Sequence, residues 1–412
     1  MYRREFLKGT AAVLASACGG RGTPTSPMSR IGIGMIGVGS FGIGHHLTHL
    51  LENQRFEVRA VADPDSTRVE AAVALTGGRA LGYRDYRELL ARDDVDAVVI
   101  VTPDQWHAKA TIDAANAGKH VYCEKPITVS VAEGRAMVDA VRANGIAFQT
   151  GSQQRSFEHF QLACEIVRNG RIGQLQRIEV MIPPGPITPP EPANPQPETL
   201  DWDLWLGPAP FATYHQLRAA GTFRYFRDYG GGTITDLGAH ELDIAQWGAG
   251  RDATGPATIV GTGKFEPGNF FESPTEFDVR YTYDDGLELR LRDSAGIWTV
   301  QFFGTDGDIL VAPGGILEGS RQELLDYELG SGAVVLESSR DHHGNWADAI
   351  LDGTLPICDV EIGHRSATLC HLANIAIETG RALRFDPVAE RLIGDPAADM
   401  LLSRPYRQGW EL

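Results

Sequence analysis

The chain has 412 residues, 42% of them hydrophobic and 22% charged, an ordinary composition for a globular protein with length for two or three domains. Its formal charge is −17, and setting aside residues 1–18, which carry a net +2, leaves −19. That balance argues against nucleic acid and anionic membrane as partners.

In chain order, Arg3 and Arg4, followed by Phe6, Leu7 and Lys8, fit the twin-arginine export pattern. The apolar run after them, Thr10 to Ala17, is too short to span a bilayer. Cys18 follows Ala15-Ser16-Ala17, small residues of the kind a lipoprotein signal peptidase accepts, so lipid attachment at Cys18 and simple cleavage both stay open. Residues 1–30 are therefore expected to be signal and linker, with the mature protein periplasmic or lipid-anchored and no transmembrane span. The remaining cysteines, Cys123, Cys164, Cys358 and Cys370, form no C-x-x-C pair and sit in apolar runs, which predicts buried thiols.

Ile31 to Ile36 reads as a strand that runs into Gly37-Val38-Gly39-Ser40-Phe41-Gly42, with a helix from His45 to Leu51. In such a turn the first glycine permits the sharp bend, the second lets the backbone approach a pyrophosphate, and the third allows close helix packing. The next strand, Phe56 to Ala62, ends in Asp63, placed to take both ribose hydroxyls of a dinucleotide. A carboxylate there repels a 2′-phosphate, so NAD is expected over NADP; nearby Arg68 keeps NADP as the less favoured option. Further strands at Ala97–Val101, His120–Cys123 and Ile146–Thr150 alternate with helices at Trp106–Ala117 and Val131–Ala143. Residues 31–150 thus predict a parallel sheet covered on both faces, a Rossmann domain. Thr102, Pro103 and His107 follow one strand end, and Glu124 and Lys125 another, where ligands of such sheets lie. An ammonium at Lys125 can hydrogen-bond a substrate hydroxyl, or it can simply pair with Glu124.

Beyond Gly151 the pattern changes to a helix at Phe157–Asn169, a strand at Leu175–Ile182 and a proline-rich stretch, 183–197, that cannot be regular structure. Strands at Ala257–Phe265, Phe277–Tyr283, Leu287–Asp293, Val300–Gly304 and Asp308–Pro313 look locally paired. The fold expected is α/β with an N-terminal dinucleotide-binding domain, followed over 151–412 by an α+β domain with a mostly antiparallel open sheet. Its final segment, 340–412, reads as helical and extended.

Between these strands three glycines, Gly230 to Gly232, lead into a helix on which Asp236, His240 and Asp243 fall on one face. A carboxylate one turn from an imidazole can orient it and hold its protonated form, as a general base for an alcohol requires; the same spacing also suits a plain surface pair. Trp202, Trp205, Tyr225 and Tyr229 could stack on a pyranose, and Arg224, Arg227 and Asp228 could bond its hydroxyls. His342 and His343 form a polar pair without metal-ligand spacing, and no metal is expected.

Taken together, G-V-G-S-F-G with Asp63, E-K-P at 124–126 and G-G-G-x-x-x-D-x-G-x-H at 230–240 resemble the Gfo/Idh/MocA family of sugar and cyclitol dehydrogenases. G-S-Q-Q-R at 151–155, D-W-D-L-W-L-G-P at 201–208, the stretch Asp359 to Arg365 and the closing Arg404-Pro405-Tyr406 look like its exported branch. The resemblance implies that Lys125 sits by the reacting hydroxyl and the nicotinamide, that His240 is the general acid/base, and that Asp236 binds substrate or supports the histidine. It further implies dimers or tetramers built sheet to sheet. Gly37, Gly39, Ser40, Phe41, Gly42, Asp63, Arg68, Thr102, Pro103, His107, Glu124 and Lys125 are expected on the cofactor, and Lys125, Arg155, Tyr225, Asp236 and His240 on a small carbohydrate.

Three functions fit these residues: an NAD-dependent oxidoreductase acting on a secondary hydroxyl, an NAD-dependent glycoside hydrolase working by oxidation, elimination and re-reduction, and a non-catalytic sugar-binding relative. Export favours the first two with a tightly held, internally recycled cofactor, because NADH released outside the cytoplasm could not be replaced.

Overall fold

In the computed structural model residues 30–326 and 330–412 are described, and the segment expected to direct export, with Arg3, Arg4 and Cys18, lies outside them. Among the described residues no helix is long and apolar enough to cross a membrane.

The first sheet is parallel, with strand order β3-β2-β1-β4-β5-β6, formed by β1 (Ile31–Ile36), β2 (Phe56–Ala62), β3 (Leu81–Tyr83), β4 (Ala97–Ile100), β5 (His120–Cys123) and β6 (Phe148–Thr150). β1 and β4 are buried at every position, because helices cover both faces and leave no solvated side for polar residues to occupy. The strand order reverses between β1 and β4, so a crevice opens beyond their carboxyl ends. β3 escaped the sequence reading: it is a short edge strand with two of its three residues exposed, and so carries no apolar run. The helix expected at His45–Leu51 is a π-helical turn, Gly42–Leu47, running into a short α-helix, Thr48–Glu52.

The second sheet has nine strands in the order β13-β12-β11-β7-β10-β9-β8-β14-β15. They are β7 (Leu175–Ile182), β8 (Thr258–Lys264), β9 (Glu276–Thr282), β10 (Glu288–Asp293), β11 (Thr299–Gly304), β12 (Asp308–Ala312), β13 (Ile316–Gly319), β14 (Leu383–Asp386) and β15 (Arg391–Leu392). β8, β9 and β10 pair antiparallel in sequence order, as do β11, β12 and β13. The sheet is mostly antiparallel as expected, but the local pairing is interrupted at the centre, where β7 lies between the two groups, parallel to β10 and antiparallel to β11. Burial alternates along these strands because helices Glu158–Arg168, Gly238–Ala249 and Val360–Thr379 cover one face only.

Three features tie the domains together. Helix Val360–Thr379 places Val360 and Ala367 in the first domain's core and Leu369, Cys370 and Leu372 in the second's. Helix His342–Asp352 returns to the first sheet, where fully buried Trp346 packs on Phe56 and Tyr122. The segment just after the proline-rich stretch also crosses over: Ser66 N–H donates to Thr199 O, Asp201 N–H donates to Pro64 O, and Asp65 bridges Leu200. Cys123, Cys164, Cys358 and Cys370 are all free and buried.

Candidate active site

A cavity of about 500 Å³ lies where the carboxyl ends of β1, β2, β4 and β5 face the start of the second domain. At its floor is the glycine turn. Gly37 has φ +89°, and a Cβ there would meet Val101 O at 2.5 Å, so no other residue fits without moving the backbone. Gly42 is equally crowded, by Gly37 O at 2.6 Å, whereas a Cβ on Gly39 would find only Arg68 Nη1 at 3.6 Å. The middle glycine therefore leaves open the space a pyrophosphate needs, while the outer two are fixed by packing. Asp63, 4% exposed, accepts from Val38 N–H at 3.0 Å and Asp65 N–H at 3.0 Å, which locks it to that turn. Burial pushes its pKa up, and Arg68, 3.9 Å away, opposes that shift. Thr102 Oγ1 is buried on the cavity wall with no partner. This unpaired hydroxyl and the open face over Gly39 are features an NAD molecule would satisfy, with Asp63 beside its ribose.

Ser40, Phe41, Pro103, His107 and Glu124 line the same cavity. His107 bridges Pro126 O (2.7 Å) and Thr102 O (3.0 Å), so it fixes both strand-end loops. Burial disfavours ionisation of Glu124, but His46 and Lys125 outweigh it and hold the carboxyl down at about 2.

On the opposite wall, Lys125 Nζ donates to Asp236 Oδ1 and to Asp236 O, both at 2.9 Å, and Arg224 Nε lies 3.2 Å from Asp236 Oδ2. Burial works against ionisation of Asp236, yet Lys125 and Arg224 prevail and keep its pKa below the usual value. The helix expected here is broken at Leu237 into Thr233–Asp236 and Gly238–Ala249. His240 lines the cavity, but the expected carboxylate–imidazole pair is not formed: the Asp236 oxygens face Lys125 and Arg224, and His240 Nδ1 is without a partner. Burial, and then Lys125, push the His240 pKa down to about 3. The imidazole is held neutral, as a proton acceptor must be, and not protonated as its spacing from Asp236 suggests.

Trp205 lines the cavity, but other expected residues do not reach it. Arg155 is 1% exposed and pairs with Asp243 at 2.8 Å and Asp252 at 2.7 Å, so it is a buried structural cation and not a substrate ligand. Asp243, expected on the catalytic face, is its partner. Tyr225 packs on Phe271 with centroids 5.1 Å apart and is not part of the wall. Trp202 stacks on Trp205 at 4.5 Å and donates to Ala212 O; Tyr229 is fully buried; Arg227 pairs with Glu378. His342 donates to Thr150 O at 2.8 Å, and His343 stacks on Tyr122. His49, Asp341 and His343 bring possible ligand atoms within 4.8 Å of one another, but the two rings are stacked at 27°, so their in-plane lone pairs do not converge on one point.

The sequence reading missed Asp104 as a chemical group. It lines the cavity, and burial pushes its carboxyl up to about 7 against the pull of Arg224 and Lys125. Its place one residue beyond Pro103, at the end of β4, was the available signal.

Comparison with known proteins adds the lineage. Residues 31–152 match the oxidoreductase-family NAD-binding Rossmann fold, and residues 190–412 match the C-terminal alpha/beta domain of the same family. An inositol 2-dehydrogenase from Salmonella typhimurium is 34% identical over 143 residues, covering 34% of this chain and 42% of that protein. A glycosyl hydrolase family 109 protein from Shewanella is 32% identical over 207 residues, covering 42% and 44%. Three further curated relatives are spanned over only 54%, 37% and 45% of their length. Similar folds are the aldose-aldose oxidoreductase from Caulobacter crescentus solved with glycerol (TM-score 0.66, 18% identity, 87% of this chain and all of that one) and the WlbA dehydrogenase from Bordetella pertussis solved with NADH and UDP-GlcNAcA (TM-score 0.68, 18%, 87% and 98%). With both domains matched and the glycine turn, Asp63, Lys125 and His240 gathered on one cavity, the chain belongs to the Gfo/Idh/MocA family of NAD-binding oxidoreductases.

Proposed function

We propose that this protein oxidises a secondary hydroxyl of a sugar, glycoside or cyclitol. The observation that carries the reading is the convergence of Lys125 from the first domain with Asp236 and His240 from the second on the cavity the glycine turn floors. NAD, when bound, accepts the hydride from the carbinol carbon. The hydroxyl proton passes to the neutral His240 imidazole, and the carbon–oxygen bond becomes a carbonyl. Lys125 hydrogen-bonds the oxygen and stabilises the negative charge that develops there, while Asp236, itself held by Arg224, positions its ammonium. Asp63, held by the turn, selects NAD against the 2′-phosphate of NADP.

A second reading, redox-neutral cleavage of a glycoside, is supported by the likeness to the family 109 hydrolase. In it the same residues would support oxidation of one carbon by NAD, and the proton on the neighbouring carbon becomes acidic. Elimination expels the leaving group as an alcohol, water adds across the double bond that elimination leaves, and return of the hydride to the carbonyl would restore a free sugar. Both readings suit a protein whose Arg3-Arg4 segment directs it out of the cytoplasm with its cofactor already bound. The deciding experiment purifies the protein without added nucleotide and incubates it with a panel of glycosides. An oxidised product with NADH supports dehydrogenation; free sugar without net NADH supports cleavage; neither, with NAD bound, refutes catalysis on this class. Replacing Arg3 and Arg4 by lysine should leave the folded protein in the cytoplasm, and unchanged fractionation would refute the export reading.

A further inference from the structure

A second cavity, of about 290 Å³, lies behind the first, on the far side of the Asp104–Gln105 step and of the Gly230–Gly231 turn that leads to Asp236. Its volume suits a single sugar ring. Gln105, 2% exposed, lines this cavity and has its Oε1 atom buried without a partner, and Asn374 Oδ1 and Ser273 Oγ are also buried and unpaired. A buried polar atom is costly to leave without a partner, and amide oxygens can only accept. The missing partner must therefore donate, as hydroxyl groups do.

The remaining polar groups fit the same ligand. Glu133, 2% exposed, accepts from Val129 N–H at 3.0 Å and Tyr406 O–H at 3.3 Å, leaving lone pairs free. Arg404, in the closing segment that forms the cavity's rim, donates to Arg227 O and is within 4 Å of no carboxylate among the described residues. Val129 and Ile375 supply apolar surface for the carbon–hydrogen face of a ring. We infer that this cavity is a second carbohydrate site, taking a hydroxyl-rich ring of monosaccharide size on Gln105, Glu133, Ser273, Asn374 and Arg404. The inference is independent of the chemistry proposed for the first cavity, since it rests on none of the residues assigned there.

The test soaks crystals of the full chain with D-glucose and, separately, with myo-inositol, and titrates both in solution by saturation-transfer NMR. Density for a ring bonded to Gln105 and Asn374 is expected, in wild type and equally in Asp236→Asn, which disturbs only the first cavity. Gln105→Leu with Asn374→Leu should remove it, and Ser273→Ala or Arg404→Gln should weaken binding about tenfold. Thermal melting and retained NAD show that each variant is folded. Ordered water alone in the wild-type cavity with both sugars, or sugar confined to the first cavity, would overturn the assignment.

Discussion

The two walls of the active-site cavity are built by different means. The nucleotide wall is backbone: Gly37, Gly39 and Gly42 shape it by what they lack, and the carboxylate beside them, Asp63, is tied by main-chain donors. The chemical wall is side-chain charge: Lys125, Arg224 and Asp236 hold one another, and His240 stays neutral in their field. A shape-built wall tolerates changes of charge elsewhere but not an added methyl group. A charge-built wall tolerates small shifts of shape, yet loses its function when one member is neutralised.

The largest expected effect comes from attacking the charged wall. Lys125→Ala and His240→Ala should each lower turnover by about two to four orders of magnitude while NAD stays bound. Full activity in either variant would remove that residue from the mechanism and leave the contrast between walls without content. Next is Arg155→Ala, which strands Asp243 in the core and should cost about 3–5 kcal/mol of stability, read by denaturant melting. If the melt is unchanged and substrate affinity falls instead, Arg155 belongs to the cavity after all.

On the nucleotide wall, Asp63→Ala should cost about 1.5–3 kcal/mol of NAD affinity and narrow the preference over NADP, measured by nucleotide titration. The last effect is spread over pH. His240 and His371 are pushed down to about 3 and His342 to about 4, each first by burial. Their folded pKa values lie below the unfolded value near 6.5, so the unfolded chain binds more protons and stability falls as pH drops below that value. Each should contribute about 1.4 kcal/mol per pH unit until its folded pKa is reached. His342→Gln should flatten the profile between pH 6.5 and 4. The same reasoning places no loss of kcat/KM near pH 6.5 from His240, and an acid limb there would show it titrating normally.

How much of this was legible follows from what each signal depends on. Gly37 to Gly42 and Asp63 were readable because local geometry dictates residue type. Lys125 and His240 were readable because their motifs sit at strand and helix ends. The partners were not: Asp236 faces Lys125 across 111 positions, so the helical spacing that paired it with His240 misdirected the reading. Arg155 and Asp243 looked functional for the same reason that they are structural, since a buried ion pair and a ligand pair use the same residue types. β7 could not be placed centrally from local pairing, because its parallel partner β10 is remote in sequence.

The return of Trp346 to the first sheet bears on the order of synthesis. The pocket it fills between Phe56 and Tyr122 stays open until the ribosome has made nearly the whole chain. A truncated first domain would expose that apolar hole to other chains. Synthesis of helix His342–Asp352 is thus the event that seals the nucleotide-binding half.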